Sequence, residues 1–395
     1  MSTFKQKDRE ILQGLAREVV EAANDPVNEI RRRRHNNIMG LKQTRPTVTI
    51  FQEPWHELND TGELDLKCED EFCRGVELEM RRQLYKWRHY PGDMTMQAVS
   101  IQPYWIEDSG FGVWEDVDIE KVDNDNDVVS RHFKVQIKDE KDIEKLKDPI
   151  IKYNPEKTEE LYQKRCELLD GVIKVEKRGI GGFWFAPWDE VVRWTGIQEI
   201  LMDLVLRPDY VHTLIDRLVQ CWISRAKQLE DQGALAMPLN EMEVSGAAQI
   251  FSEVSPEMHG EFALQHEAKF YKLVKKVHYG CCEPLHNKVD ICSEYLPNMY
   301  QISMSPWINF EIGAKNVANR FIFGWRPNPA HLAYEKWDPE LIRNYIKEKL
   351  PILKSNGCSA AIYLKDISTV AHQPSRLTQW NKIMEECLDD EYGEE

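Results

Sequence analysis

The chain has no run of eighteen apolar residues, so nothing in it reads as a membrane-spanning helix. It also lacks a charged and then apolar leader, because Met1-Ser-Thr-Phe-Lys runs directly into a polar helical pattern, and the expected location is cytoplasmic. No G-x-G-x-x-G and no P-loop occurs, which removes the glycine-rich first turn of a nucleotide-binding doubly wound sheet. Cations are in the minority, 51 Lys and Arg against 67 Asp and Glu, and the net charge of −16 argues against nucleic acid as a partner. The nine cysteines are odd in number and show no framework spacing, so most read as buried thiols in a reducing compartment. The one basic cluster, Arg31-Arg32-Arg33-Arg34, reads as a solvated face beside acidic neighbours.

What remains is a chain of 395 residues, 42% apolar, able to bury a large core. Past about residue 230 it settles into short apolar run, polar loop, amphipathic helix. Candidate strands are 234–239, 276–281, 299–304, 320–325 and 358–364. Helical patterns lie around 256–275, 286–296, 308–317, 338–354 and 373–388. Earlier runs at 47–51, 97–104, 172–175 and 183–185 supply further strands. Strands alternating with helices predict parallel βα units, and about eight of them predict an α/β fold, a (β/α)8 TIM-like barrel with loop insertions. A helical extension is expected over 1–45 and the barrel domain over 46–395. The acidic stretch from Glu115 to Asp127 is expected to be a solvated excursion.

In a barrel, chemistry gathers where strands end. Those ends are Asn240-Glu-Met-Glu243, Cys281-Cys-Glu283, Ser305-Pro-Trp307, Trp325-Arg-Pro-Asn328 and Lys365-Asp-Ile-Ser368, joined by the early loops Glu53-Pro-Trp-His-Glu57 and Tyr104-Trp105. The most specific is Val277-His-Tyr-Gly-Cys-Cys-Glu-Pro284, in which two thiols, an imidazole and a carboxylate close an apolar run. These are the ligand types zinc prefers. Parity along a strand puts Tyr279, Cys281 and Glu283 on one face and His278 with Cys282 on the other. His278 reads equally as a core histidine, Cys282 as a buried thiol, and Lys365–Asp366 as a structural ion pair. Of the twelve tryptophans, Trp55, Trp105, Trp114, Trp184, Trp188, Trp307 and Trp325 fall in or beside predicted strand ends, which suits a planar apolar ligand.

Over nearly its whole length the chain resembles the uroporphyrinogen decarboxylase superfamily, and within it the corrinoid-dependent methyltransferases that demethylate aryl ethers. The residues that carry the resemblance are Glu53-Pro-Trp-His-Glu-Leu-Asn59, Asp108-Ser-Gly-Phe-Gly112, Tyr279-Gly-Cys-Cys-Glu-Pro284, Ser303-Met-Ser-Pro-Trp307, Gly324-Trp-Arg-Pro-Asn-Pro-Ala330 and Leu364-Lys-Asp-Ile-Ser-Thr369. The acidic, aromatic segment Glu53-Pro-Trp-His-Glu57 stands where true decarboxylases carry arginines for a polyanionic substrate, so porphyrin decarboxylation is not implied.

The resemblance implies methyl transfer from a methoxylated aromatic, or a related donor, to the Co(I) cobalamin of a separate corrinoid protein. It also implies zinc at the barrel mouth, for which the candidate ligands are Cys281, Glu243, His278, Cys282 and Glu257. Tyr279 stands where the family motif has a histidine, and Lys365-Asp366 where a second cysteine is expected. A phenolate leaves an unactivated ether reluctantly, so zinc or an acid such as Glu283 would meet the oxygen. His56 and Trp55 would orient the ring, Asp366 would assist, and Lys365 and Arg326 would anchor polar substituents, with Tyr104, Trp307, Trp325 and Tyr279 lining the cleft. The partners expected are the corrinoid protein and a small aromatic donor; a homodimer is compatible with the sequence. The alternatives are a metal-independent decarboxylase of a small acid, using Arg326 and Lys365, and a non-catalytic ligand-binding member of the superfamily.

Overall fold

The structure, a computed structural model, describes residues 4–120 and 130–393. Seven strands form parallel ladders: β1 (Thr47–Ile50), β2 (Trp184–Phe185), β3 (Glu243–Gly246), β4 (Lys276–Tyr279), β5 (Met299–Met304), β6 (Ile322–Trp325) and β7 (Ala360–Leu364). Helices separate them along the chain, and the fold is the expected α/β, (β/α)8 TIM-like type with an N-terminal helical extension and inserted loops. None of the helices among the described residues is long and apolar enough to cross a membrane.

The chain divides into two compact units, the first made of Met1–Gln102, Glu156–Lys177 and Ala318–Glu395 and the second of Pro103–Pro155 and Arg178–Val317. In the first, β1 pairs with β7 (Thr47 opposite Ala361, Ile50 opposite Leu364) and β7 with β6. The run Ala-Ala-Ile-Tyr-Leu of β7 is buried at four of its five positions, as a strand covered on both faces requires. Asp70 and Asp338 start the helices Glu71–His89 and Pro339–Ser355 by accepting the amides of Cys73 and Leu341. The helix Gln6–Ala23 buries Leu12, Leu15 and Val19 in one cluster with Val76, Met80 and Leu84. Within the basic cluster, Arg31 donates to the carbonyl of Met94 (2.8 Å) and Arg34 pairs with Asp93 (3.0 Å), so those two cations are structural.

In the second unit the parallel ladder runs β5, β4, β3, β2. The expected strand at 234–239 does not form: Leu235 makes only an isolated bridge to Ile180, and the strand is β3, Glu243-Val-Ser-Gly246. Small residues are required there, since a Cβ on Gly246 would lie 2.1 Å from the Tyr271 hydroxyl and 2.2 Å from the Phe185 carbonyl. The segment after β3 runs through a helix (Pro256–His259), a π turn (Gly260–Leu264) and a second helix (Gln265–Tyr271), whose Phe270 stacks on Phe185 at 4.1 Å. Of the acidic stretch from Glu115 to Asp127, residues 121–127 lie outside the described residues. Val117–Glu120, just before them, pairs antiparallel with Ser130–Phe133.

Candidate active site

The chain leaves β4 through Gly280, at φ +100°, where a Cβ would sit 2.4 Å from Leu285 Cδ1, so only glycine allows the turn. The turn brings Cys281 and Cys282 side by side with their sulfurs 3.6 Å apart. Glu283 is fully buried, and its carboxylate accepts the amide of Cys281 (2.8 Å) and the amide of Ala248 (3.3 Å). One side chain thereby ties the loop after β4 to the loop after β3.

Tyr279, one residue before the turn, points into the core. Its hydroxyl donates to Glu267 Oε2 at 3.1 Å and lies 2.8 Å from His259 Nε2, so the imidazole donates through Nε2. All three groups are sealed from solvent. Burial pushes the Glu267 carboxyl well above the usual carboxylate range, against the Tyr279 hydrogen bond and with help from the charges of Glu283 and Asp189. Burial pushes His259 down to about 3, assisted by Lys288, so it stays neutral. Glu267 Oε1, His259 Nδ1 and the Tyr271 hydroxyl have no hydrogen-bond partner among the described residues. Lys288, equally buried, donates to the carbonyl of Phe251, and burial holds its pKa below the usual lysine value.

Asp189 follows β2 and Gln249 follows β3, and both line a cavity of about 550 Å³. Its wall is apolar through Phe133, Val192, Ile197 and Ile250 and carries the guanidiniums of Arg131 and Arg193. Gln249 donates to Asp189 at 3.1 Å. A mostly apolar hollow of this size with a few polar groups, at the carboxyl ends of parallel strands, is the usual form of a small-molecule site. A smaller cavity of about 310 Å³ also has Arg193 in its wall and is lined by Glu190, whose carboxyl burial pushes up to about 7 although Trp222 donates to it (2.8 Å).

The expected ligand set is only partly assembled. Cys281 and Cys282 come together. His278 instead hydrogen-bonds Ser303 (2.8 Å), and Glu257 is exposed at a helix start. Glu243 was expected at a strand end, but it is the first residue of β3, opposite Lys276, and so at the far end of the ladder from Gly280. Among the described residues no three His, Cys, Asp or Glu converge to hold a metal. Two adjacent thiols fall short of the three or four protein ligands of a zinc centre, so the residues as placed do not fit that ion. Tyr104 stacks on Tyr153 (4.8 Å), and Trp307 is exposed.

The remaining expected residues belong to the first unit. Glu57 accepts the Thr369 hydroxyl (2.6 Å) and the amides of Val370 (2.8 Å) and His372 (3.0 Å). His56 Nε2 lies 3.5 Å from Glu57. Trp55 packs edge-on to Tyr85 and carries Arg82 over its ring at 4.8 Å. Asp366 follows β7 at φ +56°, donates its amide to the side-chain oxygen of Gln52 (3.2 Å; Gln52 φ +59°), and pairs with the buried Lys365 at 2.7 Å. Left-handed backbone at two non-glycine strand ends is the kind of strain that functional loops hold. Arg326 is buried over Tyr363, and Trp325 is buried against Tyr345.

Sequence reasoning missed His259, Glu267, Asp189, Arg131 and Arg193. The available signal was ionisable residues at core positions of an amphipathic helix, His259 and Glu267 flanking Phe262-Ala-Leu264, since such groups are rarely buried without a reason.

A parallel α/β protein with a small-molecule hollow at its strand ends is the class these features define. Residues 73–306 match the family described as uroporphyrinogen decarboxylase (URO-D), and the chain belongs to that family. No curated protein matches it. Among solved structures it is similar to a methyltransferase from Methanosarcina mazei, at 11% identity and a TM-score of 0.40, over 68% of this chain and 75% of that one.

Proposed function

We propose that the chain moves a methyl group from a small methoxylated aromatic, or a related methyl donor, to the Co(I) cobalamin of a separate corrinoid protein. The observation that carries this reading is the 550 Å³ cavity, which is largely apolar and sets Asp189 and Glu253 against Arg131 and Arg193. A charge-balanced hollow suits a compact aromatic and does not suit a substrate of several carboxylates. The family membership and the residues that resemble the methyltransferase branch support the same reading.

The cobalamin supplies the nucleophile: the carbon–oxygen bond breaks with its electron pair left on oxygen, and the methyl carbon bonds to cobalt. The chain's part is to seat the donor and neutralise the leaving oxygen. Burial pushes the Glu267 carboxyl well above the usual carboxylate range and so favours its protonated form; Asp189, whose charge bears on it, lines the cavity, and a proton delivered at the cavity wall would yield the phenol. Glu283, with both oxygens on main-chain amides, holds the two loops in register.

The test mixes the protein, Co(I) cobalamin and a panel of methoxyarenes under strict anaerobiosis and follows conversion of the Co(I) spectrum to that of methylcobalamin. Conversion that depends on the protein and the donor is expected. No conversion with any donor, together with carbon dioxide release from a small acid, would establish instead the decarboxylase reading, which the buried cations Arg326 and Lys365 favour.

A further inference from the structure

Arg131 and Arg193 have an unusual arrangement. Both line the 550 Å³ cavity, and both turn to one carboxylate, Glu115: Arg131 meets Glu115 Oε1 at 3.1 Å, and Arg193 approaches Glu115 Oε2 only to 3.9 Å. Glu115 lines the smaller cavity, which shares Arg193 with the larger one. It follows the Asp108-Ser-Gly-Phe-Gly112 loop, whose glycines adopt φ +67° and +85°; a Cβ on Gly112 would lie 2.6 Å from the carbonyl of Lys145. The loop that sets Glu115 against the arginines is therefore fixed by backbone that only glycine accepts readily.

A guanidinium presents five donors in a planar fork suited to a carboxylate, and an ion pair at 3.9 Å uses little of that capacity. The other polar residues of the hollow do not compete for an anion. Asp189 is held by Gln249, and Glu253 is itself acidic. The remaining wall, Phe133, Val192, Ile197, Leu201 and Ile250, offers only apolar surface.

We propose that the cavity between the helix starting at Pro187 and the strand Ser130–Phe133 binds an amphipathic monocarboxylate, its apolar body against Phe133, Val192, Ile197 and Leu201. Its carboxylate takes from Glu115 the place between Arg131 and Arg193. Glu115 is thus a built-in competitor that sets how tightly acids bind, and it costs a neutral ligand nothing. This rests on the reading above in one respect: if that reading holds, the methyl donor is an aromatic acid rather than a neutral ether.

The experiment is calorimetric titration, without any corrinoid, of 4-methoxybenzoate and its neutral isostere 4-methoxybenzamide into the wild type, Arg193→Gln and Glu115→Gln. The wild type should bind the acid about tenfold to a hundredfold more tightly than the amide, the range set by one or two hydrogen bonds to a charged group. Arg193→Gln should bring the acid down to the level of the amide. Glu115→Gln should strengthen the acid severalfold and leave the amide unchanged, a gain that misfolding cannot mimic. Equal binding of acid and amide by the wild type, or unchanged or weakened acid binding in Glu115→Gln, overturns the proposal. If the acid binds as stated but no methylcobalamin forms, the methyl-transfer reading alone fails. If methyl transfer proceeds with no preference for acids, this proposal alone fails.

Discussion

Glu57 in the first unit and Glu267 in the second are both buried glutamates, and their carboxyls are shifted in opposite directions. Glu57 in the first unit is 7% exposed, and Glu267 in the second is not exposed at all. Burial pushes both carboxyls upward. At Glu57 it is outweighed by the Thr369 hydroxyl and the amides of His372 and Val370, and the group ends below the usual carboxylate range. At Glu267 a single donor, the Tyr279 hydroxyl, faces the same penalty, two further acidic charges bear on it, and the group ends well above. The number of donors aimed at a buried carboxyl therefore decides whether it is an anion that pins loops or an acid that keeps its proton.

Removing the anion should have the larger effect. Glu57→Ala leaves a hydroxyl and two amides without their acceptor, and we expect a loss of about 3 kcal/mol in urea denaturation, allowing for non-additivity among the three bonds. Because the folded pKa of Glu57 lies below the unfolded one, its contribution is complete above about pH 4.3 and disappears as pH falls through the folded value. The gap between variant and wild type should therefore narrow in acid; a gap that is constant down to pH 3 would mean that the charge contributes nothing.

Next in size is Tyr279→Phe. It removes the one donor to Glu267 and strips His259 Nε2 of its partner, at a cost of about 2 kcal/mol for two buried polar groups left unpaired. An unchanged denaturation midpoint would show that water already serves those groups and that the Tyr279 contacts do not hold the core.

How far the sequence discloses this arrangement depends on what each element is made of. The strands β4 to β7 stand out as apolar, β-branched or aromatic runs, and Met299–Met304 is found with the expected bounds. The strand β3 does not, because Glu-Val-Ser-Gly has one large apolar residue, its small ones being imposed by Tyr271 and Phe185 pressing on Gly246. The apolar run 234–239 attracts the strand assignment instead, and that slip carries Glu243 from the start of a strand to its expected end. Cys281, Cys282 and Glu283 are legible as a strand-end cluster because the pattern is local. The pairing of Tyr279 with His259 and Glu267 is not, since it joins a strand to a helix that precedes it, and nothing in the spacing reports the approach. Arg131 and Arg193 are hidden for the same reason: one lies in the strand Ser130–Phe133, the other in the helix Pro187–Thr195, and nothing in the spacing reports that they meet at Glu115.

The smallest effect at neutral pH, and the sharpest test of the comparison, belongs to Glu267→Gln. An amide replaces a carboxyl that is already neutral, keeps an acceptor for Tyr279, and should change stability by less than about 1 kcal/mol at pH 5. The difference should then grow with pH. A carboxyl whose folded pKa is raised binds more protons folded than unfolded above about pH 4.3, so the wild type loses stability with every step of pH toward the folded value, while the glutamine variant does not. The variant should therefore overtake the wild type between pH 5 and 8, the reverse of the sign expected for Glu57. If the two stability profiles stay parallel over that interval, Glu267 is ionised in the folded protein, the proton assigned to it is absent, and the acid needed by a leaving phenolate must be sought elsewhere along the cavity wall.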